Sequence, residues 1–125
     1  MKLLLDTHVL LWALESPSAL RPETRASIEN ARTVVLVSTV SAWEIGVKVA
    51  IGKLRTPEDL PTQLRDKRFT PLPATIEHGL RVSELPLLHK DPFDRLLVAQ
   101  AQLEGLTIVT RDPRIAAYDV ETLAA

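Results

Sequence analysis

Hydrophobic positions along the chain fall into two alternating patterns. Three short continuous apolar runs, KLLL (2–5), VVLV (34–37) and LTIVT (106–110), read as strands buried on both faces. The last is rich in β-branched residues. Helical patterns separate them. THVLLWALE follows the first run directly, PETRASIENA (22–31) has proline near its start, and SAWEIGVKVAI (41–51) ends at Gly52, a suitable residue just past a helix. PEDLPTQLRDK (57–67) and TIEHGLRVSEL (75–85) are weaker helical segments, and residues 92–104 form the strongest. A short turn is expected after Pro113, a last edge strand over YDVETL (118–123), and an extended edge piece over RFTPLP (68–73), where the prolines exclude a central strand. Strands alternating with helices predict parallel strands joined by right-handed crossovers, hence an α/β sandwich. With no internal repeat, low-complexity tract or linker, residues 1–125 are expected to form one domain.

Composition narrows the function without naming it. No cysteine is present, so there is neither a disulfide framework nor a thiolate metal site, and an intracellular setting is expected. MKLLLD is too short an apolar run for a signal segment, and nothing approaches the roughly 20 residues of a membrane span. A cytoplasmic protein with no membrane partner is the reading. The four glycines (46, 52, 79, 105) make no phosphate-binding loop. A net charge of −1 argues against a general polyanion binder, but charge is unevenly spread. Lys48, Lys53, Arg55, Arg65, Lys67 and Arg68 outnumber Glu58, Asp59 and Asp66 in the middle of the chain.

The acids carry the chemistry. Asp6 follows the first strand, Asp112 follows the third apolar run, Asp94 opens the long helix, and Glu44 lies one turn into the helix after the second strand. In an open parallel sheet the C-terminal strand ends and the adjacent helix starts form the edge where ligands bind. Each acid also has a plain structural role. Asp6 can cap the helix at Thr7, Asp91 the helix at Pro92 and Asp112 the turn at Pro113. Glu44 can pair with Lys48 at i, i+4, yet its neighbours Val40, Ala42, Trp43, Ile45 and Val47 place it in an apolar stretch. Four converging carboxylates ask for a cation, because two such charges about 6 Å apart repel by roughly 3 kcal/mol at an effective dielectric near 20. The donors are all oxygen, which favours Mg²⁺ or Mn²⁺ over zinc. A magnesium ion held by a few carboxylates accepts phosphate oxygens and activates water, the apparatus for cutting a phosphodiester.

LLLDTHVLLWAL, VSAWEI, HKDPFDRLLVAQA and IVTRDP, in this order and spacing, resemble the PIN-domain ribonucleases, closely the VapC-type toxins of bacterial toxin–antitoxin pairs. The resemblance spans nearly the whole chain. It implies a PIN-like three-layer α/β/α sandwich with a short parallel sheet. It also implies that Asp6, Glu44, Asp94 and Asp112 are the catalytic and metal-binding acids, Asp6 and Asp94 foremost. Asp91 matches a position usually acidic in the subgroup and is read here as the cap. The implied activity is cleavage of RNA with Mg²⁺ or Mn²⁺. The implied partners are a second copy of the chain and a cognate VapB-type antitoxin that covers the acidic pocket. His8 stands where many PIN domains carry Asn or Ser, a departure that leaves the acids intact.

Other residues take lesser expectations. Thr7 and Thr110 can bond a carboxylate or cap the backbone, and His89 and Arg95 can contact substrate phosphate, Arg95 equally a nearby acid. His78 reads as a helix-surface histidine, and Trp12 and Trp43 as core or interface residues rather than base-stacking platforms. The basic residues from Lys48 to Arg68 are expected to track an RNA backbone. Three rival readings stand beside the toxin: a PIN-fold nuclease of RNA processing, a PIN fold kept only for binding, and a phosphoacceptor domain. The last lacks a strand-end aspartate at mid-chain, and its late strand ends in TRD where a lysine is wanted.

Overall fold

The computed structural model describes residues 1–125, and its strands are those the apolar runs predict, with two short additions. They are β1 (Lys2–Leu5), β2 (Val34–Ser38), β3 (Thr70–Leu72), β4 (Thr107–Thr110) and β5 (Thr122–Ala124). All pair parallel in the order β3-β2-β1-β4-β5. The helices are α1 (Thr7–Glu15), α2 (Pro22–Glu29), α3 (Thr39–Ala50), α4 (Leu60–Asp66), α5 (Ile76–Arg81), α6 (Pro92–Glu104) and α7 (Pro113–Ala116). Single 3₁₀ turns lie at Pro17–Ala19 and Val82–Glu84.

Side-chain alternation along the buried strands divides the core into two layers of packing. Leu3, Leu5, Val35, Val37 and Val109 face α1 and α2 through Val9, Leu10, Ala13 and Ile28. Leu4 and Ile108, one position out of phase, face α6 and α7 through Leu97, Val98, Ala101 and Ile115. Helix α3 contributes Ile45 to the first layer and Val40 to the second. The result is the three-layer α/β/α sandwich expected. Leu3, Leu4 and Leu5 are fully buried, so truncating any of them to alanine costs about 2–5 kcal/mol. No helix is long and apolar enough to cross a membrane.

Strand order places the site. The chain steps from β1 to β2 to β3 in one direction, then returns across the sheet to lay β4 on the other side of β1. The crossovers diverge between β1 and β4, and this switch point leaves a crevice outside their carboxyl ends. Leu5 is in register with Val109, so Asp6 emerges beside Thr110 at the lip of that crevice.

Several boundaries differ from the sequence reading. Helix α3 begins at Thr39, two residues early, because the Ser38 side chain accepts from the Val40 N–H and caps it. Helix α4 begins only at Leu60, behind a left-handed Asp59 cap. The segment 75–85 is helical for six residues and then tightens into the 3₁₀ turn. The last strand covers Thr122–Ala124 instead of 118–123, because Tyr118 is buried in the second core layer.

Candidate active site

Asp6, Asp94 and Asp112 are delivered by helix starts, and Glu44 by the middle of α3. Asp6 ends β1 and caps α1: its Oδ1 accepts from Val9 N at 2.8 Å, while Oδ2 accepts from the Thr110 hydroxyl at 2.5 Å. Thr110 Oγ1 accepts in turn from the Asp112 N–H at 3.0 Å. One hydroxyl thus ties together the acids that follow β1 and β4. Burial raises the Asp6 pKa above its ordinary value, with the bonds from Thr110 and Val9 opposing and the Asp112 charge adding to the rise.

Asp94 stands at the third position of α6, aimed there by Asp91, whose Oδ1 accepts from the N–H groups of Phe93 and Asp94 at 2.9 and 3.1 Å. Leu97 and Ala101 are buried on the opposite side of α6, with Phe93 and Leu96 partly so. Burial first, then the charges of Asp91, Glu44 and Asp112, lift the Asp94 pKa to about 6 against the lowering bond from His89. Asp94 therefore feels the charges of Glu44 and Asp112, and Asp6 feels that of Asp112.

Glu44 is buried to 3% exposure and fully partnered. Its Oε1 accepts from the Thr7 hydroxyl at 2.6 Å, which itself lies 3.1 Å from Ser41 Oγ, and Oε2 receives Lys48 Nζ at 2.5 Å. Asp112 caps α7 and is held by Arg114 through two side-chain bonds of 3.1 and 2.9 Å. That guanidinium keeps the Asp112 carboxyl below its ordinary range. Caps and ion pairs and convergence thus coexist: the structural role of each acid is what aims it.

No three His, Asp or Glu side chains are close enough together to chelate one ion directly. Mg²⁺ tolerates this, since it is commonly bound through one or two carboxylates with waters completing its octahedron. The donors are oxygen only, two of them are destabilised as charges, and the countercharges now near them, Lys48 and Arg114, are on long side chains that can swing out. The residues fit a hard divalent cation.

Other expectations change. Arg95 touches neither an acid nor open solvent. It is buried and donates to the carbonyls of Val82, Leu85 and Pro86 and to the Tyr118 hydroxyl. His89 is spent within the protein, between Tyr118 and Asp94. His78 is buried to 2% exposure, not on the surface; its Nδ1 accepts from Thr75 N in a capping box, and its ring packs against Gln100 and Glu104 of α6. Trp43 is exposed rather than core, held edge-on by Phe93 with ring centroids 4.8 Å apart. Half-buried Trp12 lies under the Arg111 guanidinium, 4.4 Å from its ring centre. The basic cluster is divided: Lys48 reaches Glu44, while its later members lie away from the acids. Lys67 and Arg68 line a cavity of about 400 Å³ with Asn30, Thr33 and Val34, at the N-terminal edge of the sheet and so opposite the acids. Lys53 and Arg55 lie in the connection beyond the far end of α3. Tyr118 is the residue that sequence reasoning missed, and no local signal marks it.

The pattern of the PIN domain family matches residues 3–121. The chain belongs to the PIN-domain family. Ribonuclease VapC22 of Mycobacterium tuberculosis is 30% identical over 122 residues, covering 92% of this PIN domain and 90% of that protein. Ribonuclease VapC16 of the same organism is 36% identical over 59 residues, a match that spans 46% of this chain and only 42% of its own length. Among solved structures, VapBC2 from Rickettsia felis, bound to a DNA fragment from their promoter, superposes with a TM-score of 0.69 at 15% identity, covering 98% of both chains. At that identity the likeness is one of fold.

Proposed function

We propose that this PIN domain, as a single domain over residues 1–125, is a divalent-metal-dependent endoribonuclease that hydrolyses RNA phosphodiester bonds and acts as the toxin of a toxin–antitoxin pair. The observation that carries the reading is the mutual repulsion of Asp94 with Glu44 and Asp112, and of Asp6 with Asp112, which together with burial works against ionisation of Asp6 and Asp94. Membership of the PIN family and the ribonuclease names of its relatives support it.

Asp6 and Asp94 are the residues to hold Mg²⁺ or Mn²⁺, with Glu44 and Asp112 binding through water or directly once Lys48 and Arg114 withdraw. The cation supplies Lewis acidity: it activates water and neutralises charge on the phosphate. This chain's own residues do the orienting. Thr110 fixes Asp6, Thr7 fixes Glu44, and Asp91 fixes the backbone that presents Asp94. A cognate VapB-type antitoxin and a homodimer are the proposed partners, in the cytoplasm. Trp43 and Val47 of α3 and Ile51 just past its end, four residues apart and exposed, offer an apolar stripe to such a protein partner.

The test is cleavage of a panel of structured RNAs with Mg²⁺, Mn²⁺ or EDTA, run beside Asp6→Asn and Asp94→Asn. Metal-dependent cutting lost in both variants supports the reading. No cutting of any RNA, together with no thermal shift on adding metal, would leave the acids as helix caps only.

A further inference from the structure

Next to the acids runs a chain of hydrogen bonds that starts from a group able only to donate. It begins at Arg95, whose guanidinium is anchored on the carbonyls of Pro86 at 2.9 Å, Val82 at 3.2 Å and Leu85 at 3.5 Å. Arginine can only donate, so the Tyr118 hydroxyl oxygen, 2.8 Å from Arg95 Nη1, accepts. Its hydroxyl hydrogen is free to point at His89 Nδ1, also 2.8 Å away. A neutral imidazole that accepts at Nδ1 carries its hydrogen on Nε2, and Nε2 stands 3.2 Å from Asp94 Oδ2. Every member except Asp94 is buried or nearly so, and the His89 and Tyr118 rings are in contact with centroids 5.4 Å apart.

We propose that His89, locked as its Nε2–H tautomer by Tyr118 and Arg95, is a positioning residue that ties down one carboxylate oxygen of Asp94 and leaves the other aimed at the cation. The inference rests on the reading of Asp94 as a metal ligand. A carboxylate at a helix start rotates freely about its last bond unless something holds it, and the backbone cap here is supplied by Asp91, not by Asp94 itself. Only His89 gives Asp94 a side-chain bond. The long route through Tyr118 explains why residues remote in sequence, on α6, on the segment before it and after α7, are drawn to one point. Outer partners of this kind commonly govern metal affinity through orientation alone.

Two substitutions separate orientation from mere packing. In His89→Gln the amide nitrogen falls near the imidazole Nε2 and keeps the donor to Asp94. In His89→Asn the amide reaches only as far as Nδ1, so the contact with Tyr118 can persist while Asp94 is released. Mn²⁺ affinity is measured by calorimetry on the RNA-free protein, with thermal melting as the folding control. The expected result is affinity about 10- to 100-fold weaker in His89→Asn, with His89→Gln near wild type. On RNA, kcat should fall in His89→Asn while KM holds. Nitrogen NMR of the ring should show the Nε2–H tautomer in the wild type and a mixture in Tyr118→Phe.

A His89→Asn variant that binds Mn²⁺ like wild type, or a ring found as Nδ1–H, overturns the proposal while leaving a protein that binds metal and cuts RNA. A wild type that binds no Mn²⁺ sinks the ligand reading of Asp94, and the positioning role with it. The two failures are therefore told apart.

Discussion

Asp94→Asn should make the protein more stable at neutral pH while removing its proposed activity. Burial and the neighbouring acids move this carboxyl from an ordinary 3.8 to about 6. That displacement disfavours the charged form by about 3 kcal/mol, or about 2 after allowing for solvent screening at the open side of the site. The folded state binds the proton more tightly than the unfolded chain does, so between these two pKa values the native protein carries more protons. Stability therefore falls as pH rises through that window and stays low above about 6. Asparagine is the nearest neutral isostere of the protonated acid and still accepts from His89. At pH 7.5 the variant should melt several degrees higher than wild type, on the order of 5–10 °C for a domain of this size. Between pH 4 and 6.5 its stability should be flatter. The assay is thermal or urea unfolding across that range, with and without Mg²⁺. Metal should raise the wild-type melting temperature at pH 7.5 far more than the variant's, because only the wild type has the charge that the cation relieves. An Asp94→Asn protein less stable than wild type at pH 7.5, or with an unchanged pH profile, would refute the reasoning, since it would mean the charge is already well accommodated.

Three further outcomes follow from the same geometry. Thr110→Val keeps the shape but strips Asp6 of a 2.5 Å donor and the Asp112 N–H of its acceptor, so stability at pH 7.5 should drop by about 2 kcal/mol and metal-dependent cleavage should weaken; urea denaturation and the RNA panel measure both. Lys48→Met leaves Glu44 buried without its cation and should cost about 3 kcal/mol in chemical denaturation, much of it regained in the double variant Glu44→Gln/Lys48→Met. Joint reversal of Lys53, Arg55 and Arg68 to Glu should leave RNA cleavage within about twofold at moderate salt, because Arg68 lines the opposite edge of the sheet; a large loss in a binding titration would return these residues to the substrate path.

What the sequence determined by itself was much of what depends on neighbours along the chain, although the local caps Ser38 and Asp59 were passed over. The bounds of α1 and α6 were readable because Asp6, Asp91 and Pro92 are local punctuation, and a cap acts within three residues. The buried strands were readable because an unbroken apolar run has one low-energy fate in an alternating α/β chain. The meeting of the acids that follow β1 and β4 also followed, since parallel strands must present their carboxyl ends on one edge. What only the tertiary structure decided were partnerships between residues far apart. Tyr118 reads as the start of a strand until its hydroxyl is seen joining Arg95 to His89. Arg95 and His78 are residue types usual at surfaces, yet both are buried because distant groups satisfy them: carbonyls of the preceding segment for Arg95, Gln100 and Glu104 of α6 for His78. The basic cluster looked adjacent to the acids in sequence, but α3 runs back across the sheet and takes its distal part to the far edge. Short-range rules fix where a helix begins and which way a strand points; which side chains meet across the fold is set by packing, and packing has no local signature.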